Sequence, residues 1–305
     1  MRPKVTSGMI ESLVGSGRGS GTLDQYQPWL MPHKSVSSVS SNISYVPMPM
    51  LQRHCYFLSR AERAVSHLLW WVGAYDVREQ FPLWPWPHSH PMSAVDPERN
   101  WPEHPGMHAI AHTAGIPVYR YAGLPIDRIL TIDLLVTVRA TVEAPLQLMG
   151  ISCKPFEIVR TAKPTDRVLE RLELDRRYCI AAGIGHRLIH PERFSQTLIR
   201  QLDWLAPLCA RALVDKAAAS LTYQKFVDRL RKTAFVRPAS EAIDDASRGL
   251  DWSPAQTRFA AHLSMWRLDV DVDLRQPLSM TSPLPFGGKT GRQQIRDDLL
   301  GGVVC

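Results

Sequence analysis

The alternation of apolar and polar positions divides the chain into stretches of different character. Residues 1–50 keep no sustained period and are rich in Gly, Ser and Pro, which predicts a flexible arm. Within the arm, "VGSGRGSG" has the glycines of a phosphate loop but no strand before it and no Gly-Lys-Ser/Thr ending. "KSVSSVSSNIS" continues as a polar linker. Order begins near residue 54. In "SRAERAVSHLLWWV", Ala61, Ala64, Val65, Leu68, Leu69 and Val72 form an apolar stripe at helical spacing. Ser59 is a natural N-cap and Glu62 stands three positions on, the spacing of a capping box. "YDVREQFPL" reads as a short strand and turn. Residues 84–107, "WPWPHSHPMSAVDPERNWPEHPGM", hold too many prolines for a helix or central strand and predict a surface insertion. "HAIAHTAG" predicts a short helix stopped by Gly115. Strands at 129–138 and 146–152, joined by a short connection, predict a hairpin. Residues 165–182 predict a helix ended by Gly183.

Past "HRLIHPERF" the pattern becomes helical, with helices expected at 195–216, 221–232, 238–248 and 254–267, then a β segment "RLDVDVDL". Short helices closing on a β-ribbon suggest a winged-helix module, and Arg229, Arg231, Lys232 and Arg237 add positive charge suited to DNA. A helical oligomerisation domain with a solvated basic face fits the same pattern. In the tail, Ile295, Leu299 and Leu300 fall at helical spacing. A segment this short buries too little to fold alone, so it is expected to order on a partner, the alternative being a disordered terminus. The chain therefore divides into an arm (1–50), an α/β domain (51–190), a mostly helical domain (191–285) and a tail (286–305).

The chain has 305 residues, 45% of them hydrophobic, enough for a real core. Its net charge of +7 favours a polyanionic partner. Cys55, Cys153, Cys179, Cys209 and Cys305 form no Cys-x-x-Cys pair and no disulfide framework, which points to a reducing, cytoplasmic setting. No long apolar run predicts a membrane span.

Asp133 lies inside the apolar run "ILTIDLLVTV". An ionised carboxylate there is costly unless it is paired or binds a metal. The strand alone favours the plainer reading, a side chain turned outward at a sheet edge. Glu62 on the early helix, Asp133, and Lys154 in "GISCK" nevertheless form a set that suits phosphodiester chemistry. Two carboxylates suit a hard cation such as Mg²⁺, and a lysine can orient the attacking water or stabilise charge on phosphorus. The spacing is loose, and chance produces such a set often. His104, His108 and His112 recur every four residues, with His88 and His90 upstream, a spacing that can hold zinc on a helix. Pro105 and Gly106 interrupt any such helix, and a solvated face is the expected role. There is no Gly-x-Ser-x-Gly, and Cys153 is expected as a small buried hydrophobe.

In order, "GRGSGTLDQYQPWL", "FLSRAERAVSHLLWW", "YDVREQFPL", "LTIDLLV", "ISCKP" and "RVLERLELDRRYC" resemble the TnsA endonuclease family, the nuclease subunits of cut-and-paste transposons with a heteromeric transposase. "VREQFPL" is the most specific stretch, supported by "YQPWL". The resemblance implies a restriction-endonuclease-like mixed sheet flanked by helices, followed by a winged-helix domain. It implies Mg²⁺-dependent cleavage, with Mn²⁺ as a substitute, of the 5′ strands at transposon ends. The implied partners are transposon-end DNA, a DDE-class transposase (TnsB-like) and an AAA ATPase regulator (TnsC-like), the last also the expected partner of the tail. Carried over by motif, Glu62 and Asp133 are metal ligands and Lys154 the catalytic lysine. The family has Gln two positions before that lysine, where this chain has Ser152, so a main-chain carbonyl at Ser152 or Cys153 is the expected further ligand. Glu170 or Glu173 of the following helix is expected near the metal. The competing expectations are a DNA-bound adaptor that recruits transposase and regulator without cutting, and a zinc hydrolase built on the histidines.

Overall fold

A computed structural model describes residues 5–31, 42–139, 143–163 and 166–301. The polar run 34–44, the turn of the expected hairpin and Cys305 lie wholly or partly outside these residues. The N-terminal segment is more ordered than its composition predicts. Ser7–Gly15 forms helix α1, capped by the Thr6 side chain. Ile10 anchors it by packing with Trp29 and Ile129. Strands β1 (Ser44–Pro47) and β2 (His54–Phe57) form a two-stranded antiparallel ribbon. Helix α2 (Arg60–Trp71) follows, then β3 (Asp76–Leu83), α3 (Met107–Thr113), β4 (Leu130–Val138) and β5 (Gln147–Cys153). Helices α4 (Phe156–Arg160) and α5 (Arg167–Ala181) lead to β6 (Gly185–Ile189).

The main sheet has the order β3-β4-β5-β6. The first two pairings are antiparallel, and β5–β6 is parallel because α5 carries the chain back across the sheet. The result is mixed α/β, with a mixed sheet flanked by helices. Leu134, Val136, Met149 and Ile151 join Val65, Leu68 and Leu69 of α2 in one apolar cluster. Leu135 and Leu148 join Leu174, Tyr178 and Cys179 of α5 in a second. Every residue of β3 is buried, so "DVREQFPL" is a full strand rather than a short strand and turn. Gly150 explains how closely α5 approaches: a Cβ there would lie 2.5 Å from Cys179 Sγ.

Residues 84–107 are not a loose surface insertion. Met92 and Met107 are buried in the second cluster. His88 and His104 pair through their main chains and stack with ring centroids 4.7 Å apart, and His104 lies against Tyr178. His104 Nε2 meets the Tyr178 carbonyl and His90 Nε2 that of Ala182, while the Nδ1 atoms of both rings accept nearby main-chain N–H groups. These histidines hold the proline-rich segment onto α5. Among the described residues, no cluster of three or more His, Cys, Asp or Glu side chains has a metal-holding arrangement.

The remaining helices are α6 (Gln196–Leu205), α7 (Arg211–Ala219), α8 (Leu221–Thr233), α9 (Ala239–Ser247), α10 (Pro254–Arg267) and α11 (Gly288–Leu300). One helix expected over 195–216 is split, because Pro207 follows α6 and cannot continue it. The expected β-ribbon is reduced to an isolated antiparallel bridge between Val272 and Phe286. Pro277, Pro283 and Pro285 remove main-chain donors that a strand pair needs. Leu202, Phe226, Leu230 and Trp266 belong to the same apolar cluster as α2 and the sheet.

The tail corrects an expectation. Its helix is present but docks on its own chain, with Leu299 and Leu300 fully buried. Arg296 donates to the carbonyls of Val72 (2.7 Å) and Arg139 (2.8 Å), and Arg187 donates to the Asp298 carbonyl (2.8 Å). Leu299→Ala should lower stability by about 2–5 kcal/mol in urea unfolding, as a buried leucine truncation does. A loss under about 0.5 kcal/mol, as at an exposed site, would show that the tail is not part of the core.

Candidate active site

Glu62 enters the site from the first turn of α2. Ser59 Oγ accepts the Glu62 N–H (3.2 Å) and donates to Glu62 Oε1 (2.8 Å). Glu62 Oε2 accepts from the Leu58 N–H (2.9 Å) and from Gln80 Nε2 (2.9 Å). The capping role read from sequence is therefore modified: the carboxylate reaches Leu58 N–H and the Ser59 hydroxyl, and also turns toward the sheet. Burial, then the negative charge of Asp133, push the Glu62 carboxyl up to about 7.

Asp133 sits mid-strand in β4 and is not turned out to solvent, its side chain being 14% exposed. Asp133 Oδ2 accepts from the Cys153 N–H (2.7 Å) and from Lys154 Nζ (2.8 Å). The ammonium also donates to the Cys153 carbonyl (3.2 Å). Burial alone would lower the Lys154 pKa, but the charge and hydrogen bond of Asp133 outweigh it and hold the ammonium protonated. Lys154 thus lies between the carboxylate and the main-chain carbonyl expected to meet a cation.

Beside this trio lies a carboxylate that the sequence reading missed. Glu170 pairs with Arg167, and Glu173 with Arg176 and Arg177 on the helix surface, which hold Glu173 down at about 2. The acid of α5 that faces the sheet is Asp175. It is buried, pushed up to about 6 by that burial, and within electrostatic reach of Asp133 and Lys154. Arg171 ion-pairs with it (2.9 Å) and also donates to the Thr131 carbonyl (2.6 Å). Ser152 Oγ donates to Asp175 Oδ2 (2.9 Å) and lies 3.0 Å from His186 Nε2. Burial pushes that imidazole down to about 4, so it is neutral near pH 7. A signal for Asp175 was in the sequence: it falls at helical spacing between Leu172 and Cys179, a charge on an apolar stripe.

The basic residues assigned to DNA are separate from this site. Arg229 donates to the carbonyls of Ala246 and Arg248, Arg231 to the Asp269 carbonyl, and Arg237 bonds Glu241 and Asp245. Lys232 is exposed.

The donors at the site are carboxylate and carbonyl oxygens, the chemistry that hard divalent cations take. Mg²⁺ in particular is bound through one or two carboxylates and keeps several waters, so the pair Glu62 and Asp133 fits it. The Glu62 pKa is raised first by burial and then by the charge of Asp133, and a cation between the two acids would relieve that repulsion. Glu62→Gln should therefore lose divalent-cation binding without losing the fold. Between about pH 4.5 and 7, native Glu62 keeps a proton that the unfolded chain has released, so wild-type stability falls as pH rises through that window. The variant has no such loss, and its melting temperature relative to wild type should rise with pH. A variant that is less stable at every pH, yet binds Mn²⁺ normally, would assign Glu62 a capping role alone.

A mixed sheet flanked by helices, with two carboxylates and a lysine meeting at one place on it, is consistent with a nuclease-like fold. The chain is 29% identical over 199 residues to the Transposon Tn7 transposition protein TnsA of Escherichia coli. The matched region is 64% of this chain and 61% of that protein, and it supports a TnsA-like relationship. No family model matches the chain. The two stretches that carry the resemblance most specifically meet in the fold. Tyr26 Oη of "YQPWL" donates to the Glu79 carbonyl (3.0 Å), and the Trp29 N–H to that of Gln80 (3.3 Å), both in "VREQFPL". Among the described residues, no helix is long and apolar enough to cross a membrane.

Proposed function

We propose that this protein is a Mg²⁺-dependent DNA endonuclease subunit of a heteromeric transposase, cleaving the 5′ strands at transposon ends. The observation that carries the reading is Lys154 Nζ bonded at once to Asp133 and the Cys153 carbonyl, with the buried Glu62 carboxylate turned toward the same sheet. Glu62, Asp133 and the Cys153 carbonyl would hold the cation, with Asp175 as an outer acid held by Arg171 and Ser152. A bound Mg²⁺ would polarise a phosphoryl oxygen and make its water more acidic. Lys154 would then place positive charge beside the phosphate as water attacks phosphorus and the ester oxygen leaves. The sheet and the α2 N-terminus fix these groups on rigid elements, so little reorganisation precedes the reaction.

The partners that fit this reading are transposon-end DNA, a DDE-class transposase that cuts and joins the 3′ ends, and an AAA ATPase regulator. Of Arg229, Arg231, Lys232 and Arg237, Lys232 is the one for phosphate contact, since it is exposed and the three arginines have internal partners. A second reading, a DNA-bound adaptor that does not cut, draws on Ser152. This residue stands where the family has Gln, and its hydroxyl is turned to Asp175. Strand-resolved cleavage of end-labelled transposon DNA, with and without the transposase, separates the two. The nuclease reading expects Mg²⁺-dependent 5′-strand cuts, and the adaptor reading expects 3′-strand cuts alone.

A further inference from the structure

Gln80 is fully buried beside Glu62. In β3, Glu79 pairs with Leu134 and Phe81 with Ile132, so the register places Gln80 opposite Asp133. The β4–β5 pairing ends at Leu134 and Ile151, and one step further in the same register brings Asp133 opposite Ser152. The three residues form a row across the sheet.

The Gln80 backbone has φ +50°, in the left-handed region that non-glycine residues seldom adopt. Such a conformation persists where its surroundings over-determine it. Here the main-chain carbonyl and both ends of the side-chain amide have specific partners. The Gln80 carbonyl accepts from Trp29. Gln80 Oε1 accepts from Thr131 Oγ1 (2.8 Å), and Gln80 Nε2 donates to Glu62 Oε2 (2.9 Å). In the ionised form that binds a cation, Glu62 only accepts, so the NH₂ end must face it, and the Thr131 hydroxyl is left to donate to the other end.

We infer that Gln80 is a positioning residue: the relay from Thr131 through Gln80 fixes the Glu62 carboxylate in the orientation that binds a divalent cation. The inference rests on the proposed metal site and goes beyond it. The Leu58 and Ser59 donors hold Glu62 from its own helix end, whereas Gln80 is the donor that ties it to the sheet carrying Asp133. Removing an outer-shell hydrogen bond of this kind typically lowers metal affinity by about 10–100-fold.

The test is Mn²⁺ titration by calorimetry on the full chain, with melting temperature measured alongside. Gln80→Leu keeps the volume and removes both polar ends. Its Mn²⁺ affinity should fall by about 10–100-fold. Thr131→Val leaves the main-chain bond to Arg171 intact and should give a smaller fall. The double variant should be no worse than Gln80→Leu, because both changes break one relay. Independent losses that add would indicate packing damage and overturn the inference, as would unchanged affinity in Gln80→Leu. If Gln80→Leu fails to fold, Thr131→Val decides: wild-type affinity there also overturns it. Wild-type protein that binds Mn²⁺ no more tightly than Glu62→Gln would refute the metal site itself, and this inference with it.

Discussion

Asp133→Asn should abolish cleavage while leaving the protein folded. The amide oxygen can still accept the Cys153 N–H, now held at 2.7 Å, so the strand pairing survives. The charge that holds Lys154 and would hold the cation is gone. Cleavage should fall by about 10²-fold or more, the scale seen when one charge-stabilising group is removed from a reacting centre. Asp133→Ala is the poorer test. It leaves a buried N–H without its acceptor, at a cost of about 1–3 kcal/mol. A single-turnover rate for Asp133→Asn within threefold of wild type would remove this carboxylate from the chemistry.

Lys154→Met should separate cation binding from catalysis. Methionine keeps the length of the stem and its packing but carries no charge. In the wild-type site the ammonium occupies the space between Asp133 Oδ2 and the Cys153 carbonyl. Those oxygens are freed in the variant, so Mn²⁺ should bind as tightly as in wild type or more tightly. Cleavage should nevertheless drop by about 10²–10³-fold, since the positive charge beside phosphorus is lost. Loss of both properties together would make Lys154 a structural ion-pair partner, and loss of neither would exclude it from the site.

Most of the candidate site is legible in the sequence, for identifiable reasons. Asp133 was conspicuous because a carboxylate interrupts a long apolar strand, and Lys154 because it follows the next one. The plainer reading of Asp133, pointing to solvent, fails because the Cys153 N–H and the lysine both satisfy it at the end of β5. Gln80 was not legible as a site residue: its left-handed backbone and its two partners arise from register and packing, which no local pattern encodes. Asp175 is less conspicuous than Glu170 and Glu173, which ion-pair on the helix surface with Arg167 three positions before and with Arg176 and Arg177 three and four positions after, respectively.

The fold divides similarly. Helices α2 and α5 follow directly from their apolar stripes. The proline-rich segment departs from the expected surface insertion because prolines exclude regular structure but not burial, and its histidines supply hydrogen bonds onto α5. In the tail, Ile295, Leu299 and Leu300 gave the helix correctly. What it packs on depended on the Arg296 bonds to carbonyls far away in sequence, at Val72 and Arg139.

The central claim is that one divalent cation is held by Glu62, Asp133 and the Cys153 carbonyl. Anomalous diffraction from crystals of the full chain soaked in Mn²⁺ tests it directly. The account predicts an anomalous peak in bonding contact with a Glu62 carboxylate oxygen, an Asp133 oxygen and the Cys153 carbonyl, with Lys154 Nζ displaced from between them. A peak at the histidines of residues 88–108, or none at Glu62 and Asp133 at Mn²⁺ concentrations that support cleavage, would contradict it.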